Sequence, residues 1–412
     1  MRVLIVGTNR PCHHRLHDRG HDMVLFMPRG KAIADDLAGP YQHIVVLDDA
    51  APDALWIEAA AALHREAAFG AVVSYNDRMQ ALAHAIASQL DIACTVDIGL
   101  VEAVTDKSLM RRLLDQHGIP NCKHVFAHGL EQVRQAIGDV GLPCIVKPVD
   151  GEASAGVSRI QTQADIEPAL EWVGAGNIEH GVIIEQFLVG DEYSVEAISG
   201  HDQHHVIAVT RKFKNPQTFV ERGHLVPAPL EQDARLQIEQ YVKRILAAFN
   251  FKDCPSHTEL ILTADGPRIV ETHTRVGGDR IIDLVRHSTG VDIYDLVAQQ
   301  SIGIDITPQI PVPIQHAQSA AVWYADPSAL ATQQLSEIRG IDAARGLPYV
   351  KSVEVLKKMG SKGALVRTSF DRSALAVAVG ESSDDALARA RSAIESLDFV
   401  FAWKAETASA DA

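Results

Sequence analysis

The sequence predicts a multidomain protein of α/β and α+β character. It has a parallel α/β domain over residues 1–97, a larger α+β domain over 98–305 and a small α+β domain over 306–412. Three observations carry this reading. The first stretch of about 95 residues alternates short apolar runs with helical periodicity, the pattern of a parallel sheet with crossover helices. Near residue 100 the character changes, and strands follow in series with flanking helices, as in mostly antiparallel architectures. The run Ile306-Thr307-Pro308-Gln309-Ile310-Pro311-Val312-Pro313 then reads as a proline-rich linker. At 412 residues the chain is long enough for two or three domains with their own cores.

In the first domain, residues 3–6, 23–26, 43–46 and 71–74 read as short buried strands, and 59–68 and 79–90 as helices. The first turn, Gly7-Thr8-Asn9-Arg10-Pro11, lacks G-x-G-x-x-G, which argues against a dinucleotide site. His13 and His17 lie one helical turn apart; a solvated helix face explains them better than a metal pair. Thr105-Asp106-Lys107-Ser108 opens a helix with a capping residue, and Leu109, Met110, Leu113 and Leu114 form its apolar stripe. Gly118 and Pro120 end it. Strands are expected at 144–149, 157–160, 182–188, 193–199 and 206–212, then an amphipathic helix at 235–249. The last domain reads as strands at 319–323, 349–355, 364–369 and 374–380, a helix at 383–396 and a frayed tail at 405–412.

Between residues 256 and 278 lies the segment with the most chemistry. Two apolar-rich runs flank Ala264-Asp265-Gly266, a three-residue hairpin loop with glycine last. A turn centred on Asp265 sets Glu259 opposite Glu271 and His257 opposite His273. Like charges directly across a strand pair destabilise it. The glutamates therefore either point into water or share a cation, and oxygen ligands favour Mg²⁺ or Mn²⁺. Arg275-Val276-Gly277-Gly278-Asp279 follows, opening a helix with Ile281, Ile282, Leu284 and Val285 on its apolar side. An arginine fork, two glycines that let backbone N–H groups approach an anion, and a helix N-terminus together suit phosphate or carboxylate.

Further phosphate signals precede this hairpin. Lys107 sits in the first turn of its helix and Lys147 ends the apolar strand Pro143-Cys144-Ile145-Val146-Lys147-Pro148, a placement that fixes an ammonium at one depth. Asp150-Gly151-Glu152-Ala153-Ser154-Ala155-Gly156-Val157 has small residues whose N–H groups can wrap an anion. Its Gly151 and Gly156 mimic a Walker A spacing, but Val157 stands where that motif needs lysine, so it is not a P-loop NTPase. Glu185-Gln186-Phe187-Leu188 ends an apolar strand at a bend, with Glu192 on the next strand. Backbone groups at such a bend pair with an adenine edge and a following glutamate takes ribose hydroxyls, unless the bend is an ordinary hairpin.

The order of these pieces resembles the ATP-grasp superfamily over about residues 100–300. Within it the chain looks most like the L-amino acid ligases, which make dipeptides, and residues 1–97 resemble the domain preceding ATP-grasp in carboxylate–amine ligases. The resemblance implies that Lys107 and Lys147 contact the ATP phosphates and that Gly151, Ser154 and Gly156 belong to a loop closing over them. It implies that Glu185, Gln186, Phe187 and Leu188 hold adenine, that Glu192 holds ribose, and that Glu259 and Glu271 bind Mg²⁺, with Mn²⁺ the other candidate. Arg275 steadies the transferred phosphoryl group, with Gly277 and Gly278 beside the substrate.

Many members carry asparagine where this chain has His273; it is a metal ligand, or the ion keeps an extra water, or it contacts substrate. In the Pro-flanked loop 211–227, Glu221 suits a substrate ammonium, and His224 a general base or hydrogen-bond donor; His257 is a similar candidate. The expected reaction joins a small carboxylic acid to an amine through an acyl phosphate. Bicarbonate, a purine-pathway amine, or a silent nucleotide-binding regulator are the alternatives.

Composition sets the remaining bounds. A net charge of −15 argues against nucleic acid and anionic membranes as partners, and no apolar run is long enough to span a bilayer. Five scattered cysteines without C-x-x-C are expected to be free thiols in a cytoplasmic protein. A homodimer is expected only on the resemblance.

Overall fold

The computed structural model describes residues 1–151, 155–327, 330, 332–363 and 366–403. Among them the strands are β1 Arg2–Val6, β2 Asp22–Pro28, β3 Tyr41–Leu47 and β4 Ala71–Val73, then β5 His124–Ala127, β6 Cys144–Pro148, β7 Ser158–Ile160 and β8 Val182–Gln186. β9 Asp191–Gly200, β10 Gln203–Lys214, β11 Glu221–Val226, β12 Cys254–Thr263 and β13 Gly266–His273 follow. The last are β14 Ser319–Ala325, β15 Gln333–Arg339, β16 Val350–Val355, β17 Ala374–Gly380 and β18 Asp398–Trp403.

β3-β2-β1-β4 form a parallel sheet, in that order. Val3, Leu4, Ile5, Val24 and Leu25 are buried on both of its faces, as a parallel sheet covered by helices requires. His13 is not on a solvated face: it is fully buried in the helix Arg10–Asp18, with Nδ1 2.8 Å from the Tyr41 hydroxyl, while His17 is exposed. The helix was read from histidine spacing, but its inner face is set by Cys12, His13 and Leu16.

Two antiparallel sheets follow. The smaller, β5-β8-β6-β7, carries Lys147 and Glu185 on neighbouring strands. The larger runs β13-β12-β9-β10-β11-β14-β17-β16. Residues beyond the proline-rich run join it, because β14 pairs with β11 and β17 with β14. The run itself packs: Ile306 and Ile310 are buried in a core shared with the N-terminal sheet, the helix Ile281–Thr289 and β14. β15 and β18 form a separate two-stranded sheet, which the sequence did not suggest.

Two further expectations change. Residues 211–227 are not a loop but the β10–β11 hairpin, in which Arg211 pairs with Leu225 and Lys212 with His224. Its flanking prolines suggested a loop, yet Glu221 and His224 do line the cleft as expected, with Val220 and Leu225 buried beneath. Of the expected strand 364–369, residues 364 and 365 lie outside the described residues, and 369–371 form a 3-10 turn. Asp371 directs this outcome: its carboxylate accepts from the backbone N–H and hydroxyl of Thr368, a local alternative to strand pairing. The tail 405–412 also lies outside the described residues. No described helix is long and apolar enough to cross a membrane, and all five cysteines are unpaired.

The carboxylate hairpin forms in the expected register at its functional end: His257 faces His273 and Glu259 faces Glu271. The turn has two residues rather than three, since Thr263 pairs with Gly266. Nearer the turn the strands are therefore one residue out of step, and a bulge at Val270 restores the register.

Candidate active site

The two antiparallel sheets and the hairpin β12–β13 enclose a cleft of about 800 Å³. Asp106 begins one wall. Its carboxylate accepts from the N–H groups of Ser108 and Leu109, at 2.8 and 3.1 Å, so Lys107 falls at the first helical position. From there the Lys107 ammonium lies 3.2 Å from Glu271 and donates to the Gly151 carbonyl at 2.9 Å. One turn on, Arg111 is fully buried. It donates to Glu185 at 2.8 Å, to Asn121 and to the carbonyls of Ile269 and Val270. Glu185 also holds Lys147 at 2.8 Å. Burial opposes ionisation of Glu185, but Arg111 and Lys147 outweigh it and bring its pKa down to about 2.

The paired carboxylates sit beside this wall. Glu259 is held by Lys212 and by His257 Nε2 at 3.2 Å, and Glu271 by Lys107 and by His273 Nε2 at 3.3 Å. Both are half-buried, and their desolvation disfavours charge, yet these cations keep both well below the usual carboxylate range. Lys212 itself is surrounded by Glu259, Glu192 and Glu221, the latter two at 3.5 Å. His257 bridges Glu259 to the fully buried Glu196, 2.7 Å from Nδ1. Burial lowers its pKa, but the two carboxylates prevail and raise it to about 9. Gly277 has no side chain because there is no room for one. Its N–H donates to Glu196 at 3.2 Å, and a Cβ would lie 2.8 Å from Glu196 Oε2 and 2.9 Å from His257 Nδ1.

Arg275 and His273 are both tied to Asp77, which belongs to the N-terminal domain. Arg275 Nε donates to Asp77 at 2.7 Å, and His273 Nδ1 lies 3.0 Å away. His273 thus has a carboxylate near each ring nitrogen, at 3.0 and 3.3 Å. On the far side, His224 is buried with Nε2 3.5 Å from Asp279, whose carboxylate accepts two hydrogen bonds from Arg372 at 2.7 and 2.8 Å. Glu221 accepts from Ser369 at 2.8 Å.

Nearly every residue expected at the site lines this one cleft. The lysines Lys107 and Lys147, Gly151, the run 185–188, Glu192, Glu221, His224, His257, Glu259, Glu271, His273, Arg275 and Gly278 are all on its wall. Gly277 lies behind the wall, supporting Glu196. Gly156 packs on Pro148, where a Cβ would come within 2.9 Å of Cγ, and Ser154 lies outside the described residues. The carboxylate of Glu185 is engaged by Arg111 and Lys147, so any contact it makes with a base runs through its backbone. Asp77, Arg111, Glu196, Lys212, Asp279 and Arg372 were not anticipated. Arg111 alone had a local signal, as it lies four residues from Lys107 on one helix face.

By donor chemistry Glu259 and Glu271, half-buried and ionised on adjacent strands, suit a hard cation. Among the described residues no group of three or more His, Cys, Asp or Glu side chains is arranged to hold a metal ion by itself.

Two sheets closing over a cleft in which lysines meet a pair of strand carboxylates are the arrangement expected of an ATP-grasp domain. The family comparison agrees: residues 140–283 match the ATP-grasp domain and residues 331–402 match L-amino acid ligase C-terminal domain 2. Residues 140–283 thus match an ATP-grasp domain, and the C-terminal segment is similar to that of the L-amino acid ligases. It is 27% identical over 220 residues to an alanine–anticapsin ligase of Bacillus subtilis, covering 48% of this chain and 46% of that protein. The chain spans about half to two thirds of the length of the first curated relatives it matches. In fold it is similar to an L-amino acid ligase from Bacillus licheniformis, with a TM-score of 0.84, 21% identity, and 97% and 98% of the two chains covered. A carboxyaminoimidazole ribonucleotide synthase from Aspergillus clavatus, complexed with ATP, gives 0.74 at 13% identity, with 96% and 97% covered.

Proposed function

We propose that this protein is an ATP-dependent ligase that joins two amino acids into a dipeptide through an acyl phosphate, releasing ADP and phosphate. The observation that carries the reading is the pairing of Glu259 with Glu271 inside a cleft lined by Lys107, Lys147, Lys212 and Arg275. A carboxylate oxygen attacks the γ-phosphorus of ATP, and the bond to ADP breaks. Both partners are anions, so the step needs fixed positive charge between them, and positioning with electrostatics carries most of such transfers. Glu259 and Glu271 are the residues to hold Mg²⁺ or Mn²⁺, which when bound supplies charge at the phosphate oxygens. Lys107 and Lys147 hold phosphate, Lys147 being oriented by Glu185; the 185–188 bend and Glu192 face the nucleoside; Arg275 steadies the transferring group.

The amine then attacks the acyl carbonyl, phosphate leaves, and the nitrogen loses a proton. Glu221, kept ionised by Lys212 and Lys214 against burial, suits the incoming ammonium, and His224 lies within the same hairpin to take the proton. The likeness of residues 331–402 to the L-amino acid ligase domain favours an amino-acid acceptor over bicarbonate. The test is ADP and phosphate release with Mg²⁺-ATP and pooled amino acids, with product masses recorded, for wild type and Glu271→Gln. A product equal to two amino acids less water, with turnover at least a hundredfold lower in the variant, is expected. ADP release that needs bicarbonate instead would replace this reading.

A further inference from the structure

Just beyond Arg275 the chain takes a backbone conformation that its own residues resist. The left-handed region is occupied not by Gly277 or Gly278 but by Asp279, with φ 50°, and Arg280, with φ 65°. That region is open to glycine and tolerable for aspartate, whereas an arginine there brings its Cβ against the backbone. Arg280 is also the N-cap of the helix Ile281–Thr289, and its side chain makes no capping hydrogen bond. Two such residues in succession persist only where their surroundings over-determine them.

Those surroundings come from the C-terminal segment. The Asp279 carboxylate accepts from Arg372 Nη2 at 2.7 Å and from Nη1 at 2.8 Å. Arg372 is itself buried and fixed: its guanidinium lies 3.8 Å over the Tyr324 ring of β14, and Nε donates to the Ser369 carbonyl at 2.8 Å. Arg280 is held from the same segment by Glu354 on β16, with Asp283 of its own helix 3.3 Å away. Each strained residue is thus tied, by a charge-assisted pair, to a partner 93 or 74 positions further along the chain.

What these pairs hold is one end of the cleft, where Gly278, Asp279 and Ile281 form the wall. Asp279 faces the buried His224, whose Nε2 lies 3.5 Å from its carboxylate, and Arg372 Nη1 reaches the Glu221 carbonyl at 3.4 Å. His224 and Glu221 belong to β11, while Glu259 and Glu271 lie on β12 and β13, with β9 and β10 between. A shift of the 279–280 turn therefore reaches His224 before it reaches the paired carboxylates.

We propose that Glu354 and Arg372 are positioning residues: the C-terminal segment clamps the strained Asp279–Arg280 turn and through it fixes Asp279 and His224 on the acceptor side of the cleft. The inference rests on the ligase reading and deepens it, giving the C-terminal segment control of the amide-forming step.

The experiment compares the full-length wild type, Glu354→Ala, Arg372→Ala, Arg372→Lys and the double variant Glu354→Ala/Arg280→Gly. Dipeptide formation from pooled amino acids is set against hydroxamate formation with hydroxylamine, which attacks the same acyl phosphate and displaces phosphate without an ordered acceptor site. Hydrogen–deuterium exchange of the backbone amides in residues 277–285 is followed alongside, without substrates. Glu354→Ala and Arg372→Ala are expected to lose about tenfold or more in dipeptide formation, with a loss in hydroxamate formation at least about threefold smaller, and exchange in 277–285 rises in both. Arg372→Lys, which keeps the charge but not the two parallel hydrogen bonds, falls between. Glycine adopts the left-handed conformation without strain, so the double variant recovers to within about threefold of wild type. Equal losses in the two reactions, or no recovery in the double variant, overturns the clamp and leaves the ligase reading intact. Unchanged exchange in both Glu354→Ala and Arg372→Ala overturns the clamp whatever the activity. A wild type that turns over no amino acid, with exchange that rises in both variants and falls back in the double variant, overturns the ligase reading and keeps the clamp on the turn.

Discussion

Glu185 shows how a single residue can matter through what it orients. Its carboxylate sits between Arg111 and Lys147, 2.8 Å from each, with all three buried. Removing one partner of such a cluster leaves buried charge uncompensated, at a cost of about 3–5 kcal/mol. Glu185→Gln is therefore expected to lower stability by about 3 kcal/mol at pH 7 and to raise the KM for ATP, because Lys147 loses its anchor. The pH dependence has a definite sign. The folded-state pKa lies near 2, below the ordinary 4.5, so the stabilisation is complete above about pH 4.5 and declines as pH falls toward 2. Denaturant titrations of both proteins at pH 7, 4.5 and 3 should show a gap that narrows with acid; an unchanged gap at pH 3 would assign the stability loss to packing.

At the level of elements, the hairpin was legible because period-2 alternation, a Gly-containing turn and charged pairs all act within about 20 residues. Even so, the correct pairing of Glu259 with Glu271 depended on two offsetting features, a shorter turn and the bulge at Val270, neither visible in the alternation. Of the β10–β11 hairpin only the strand 206–212 was expected, because Pro216 and Pro227 flank the second strand and read as loop signals. Gly190 gives an element-scale test. It links β8 to β9 where a Cβ would lie 2.1 Å from the Leu262 carbonyl oxygen, a backbone atom that cannot swing aside. At Gly266 a Cβ would meet only the end of Arg268, at 3.8 Å. Gly190→Ala is expected to cost about 2 kcal/mol or more, and Gly266→Ala about 1 kcal/mol from its positive φ alone. Melting curves of the two variants decide this, and equal losses would mean that the Gly190 crossing relaxes freely. Gly277→Ala should lower both the melting temperature and turnover, the latter tenfold or more, because the atoms it displaces belong to the buried Glu196–His257 pair beside Glu259.

Across the whole molecule, the parts of the site that sequence could not supply are those contributed by distant segments. Lys107, Lys147, Glu259 and Glu271 each carried a local pattern, whereas Asp77 carries none: it is one acidic residue at the start of a helix about 200 positions before its partners. Only folding brings it to Arg275 and His273, and the same junction is secured by Gln80, which exchanges hydrogen bonds with Thr274 at 2.7 and 3.1 Å. Asp77 is kept ionised because His273 and Arg275 outweigh its burial. On the proposed ligase reading, its task is to hold the cations of Arg275 and His273 in place on the cleft wall. Asp77→Ala frees the Arg275 guanidinium to re-pair with Glu271, and a misplacement of about 1 Å at such a group costs on the order of 100-fold. The expected outcome is a fall of that size in kcat for amide formation, with affinity for an ATP analogue within about threefold of wild type. Asp77→Asn, which keeps an oxygen acceptor but not the charge, should fall between the two. Gln80→Ala is the control for domain contact: it weakens the junction without altering the cations, so it should lower the melting temperature more than kcat. If Asp77→Ala lost ATP affinity and turnover together, the N-terminal domain would be acting on the nucleotide lobe as a whole rather than through Arg275 and His273.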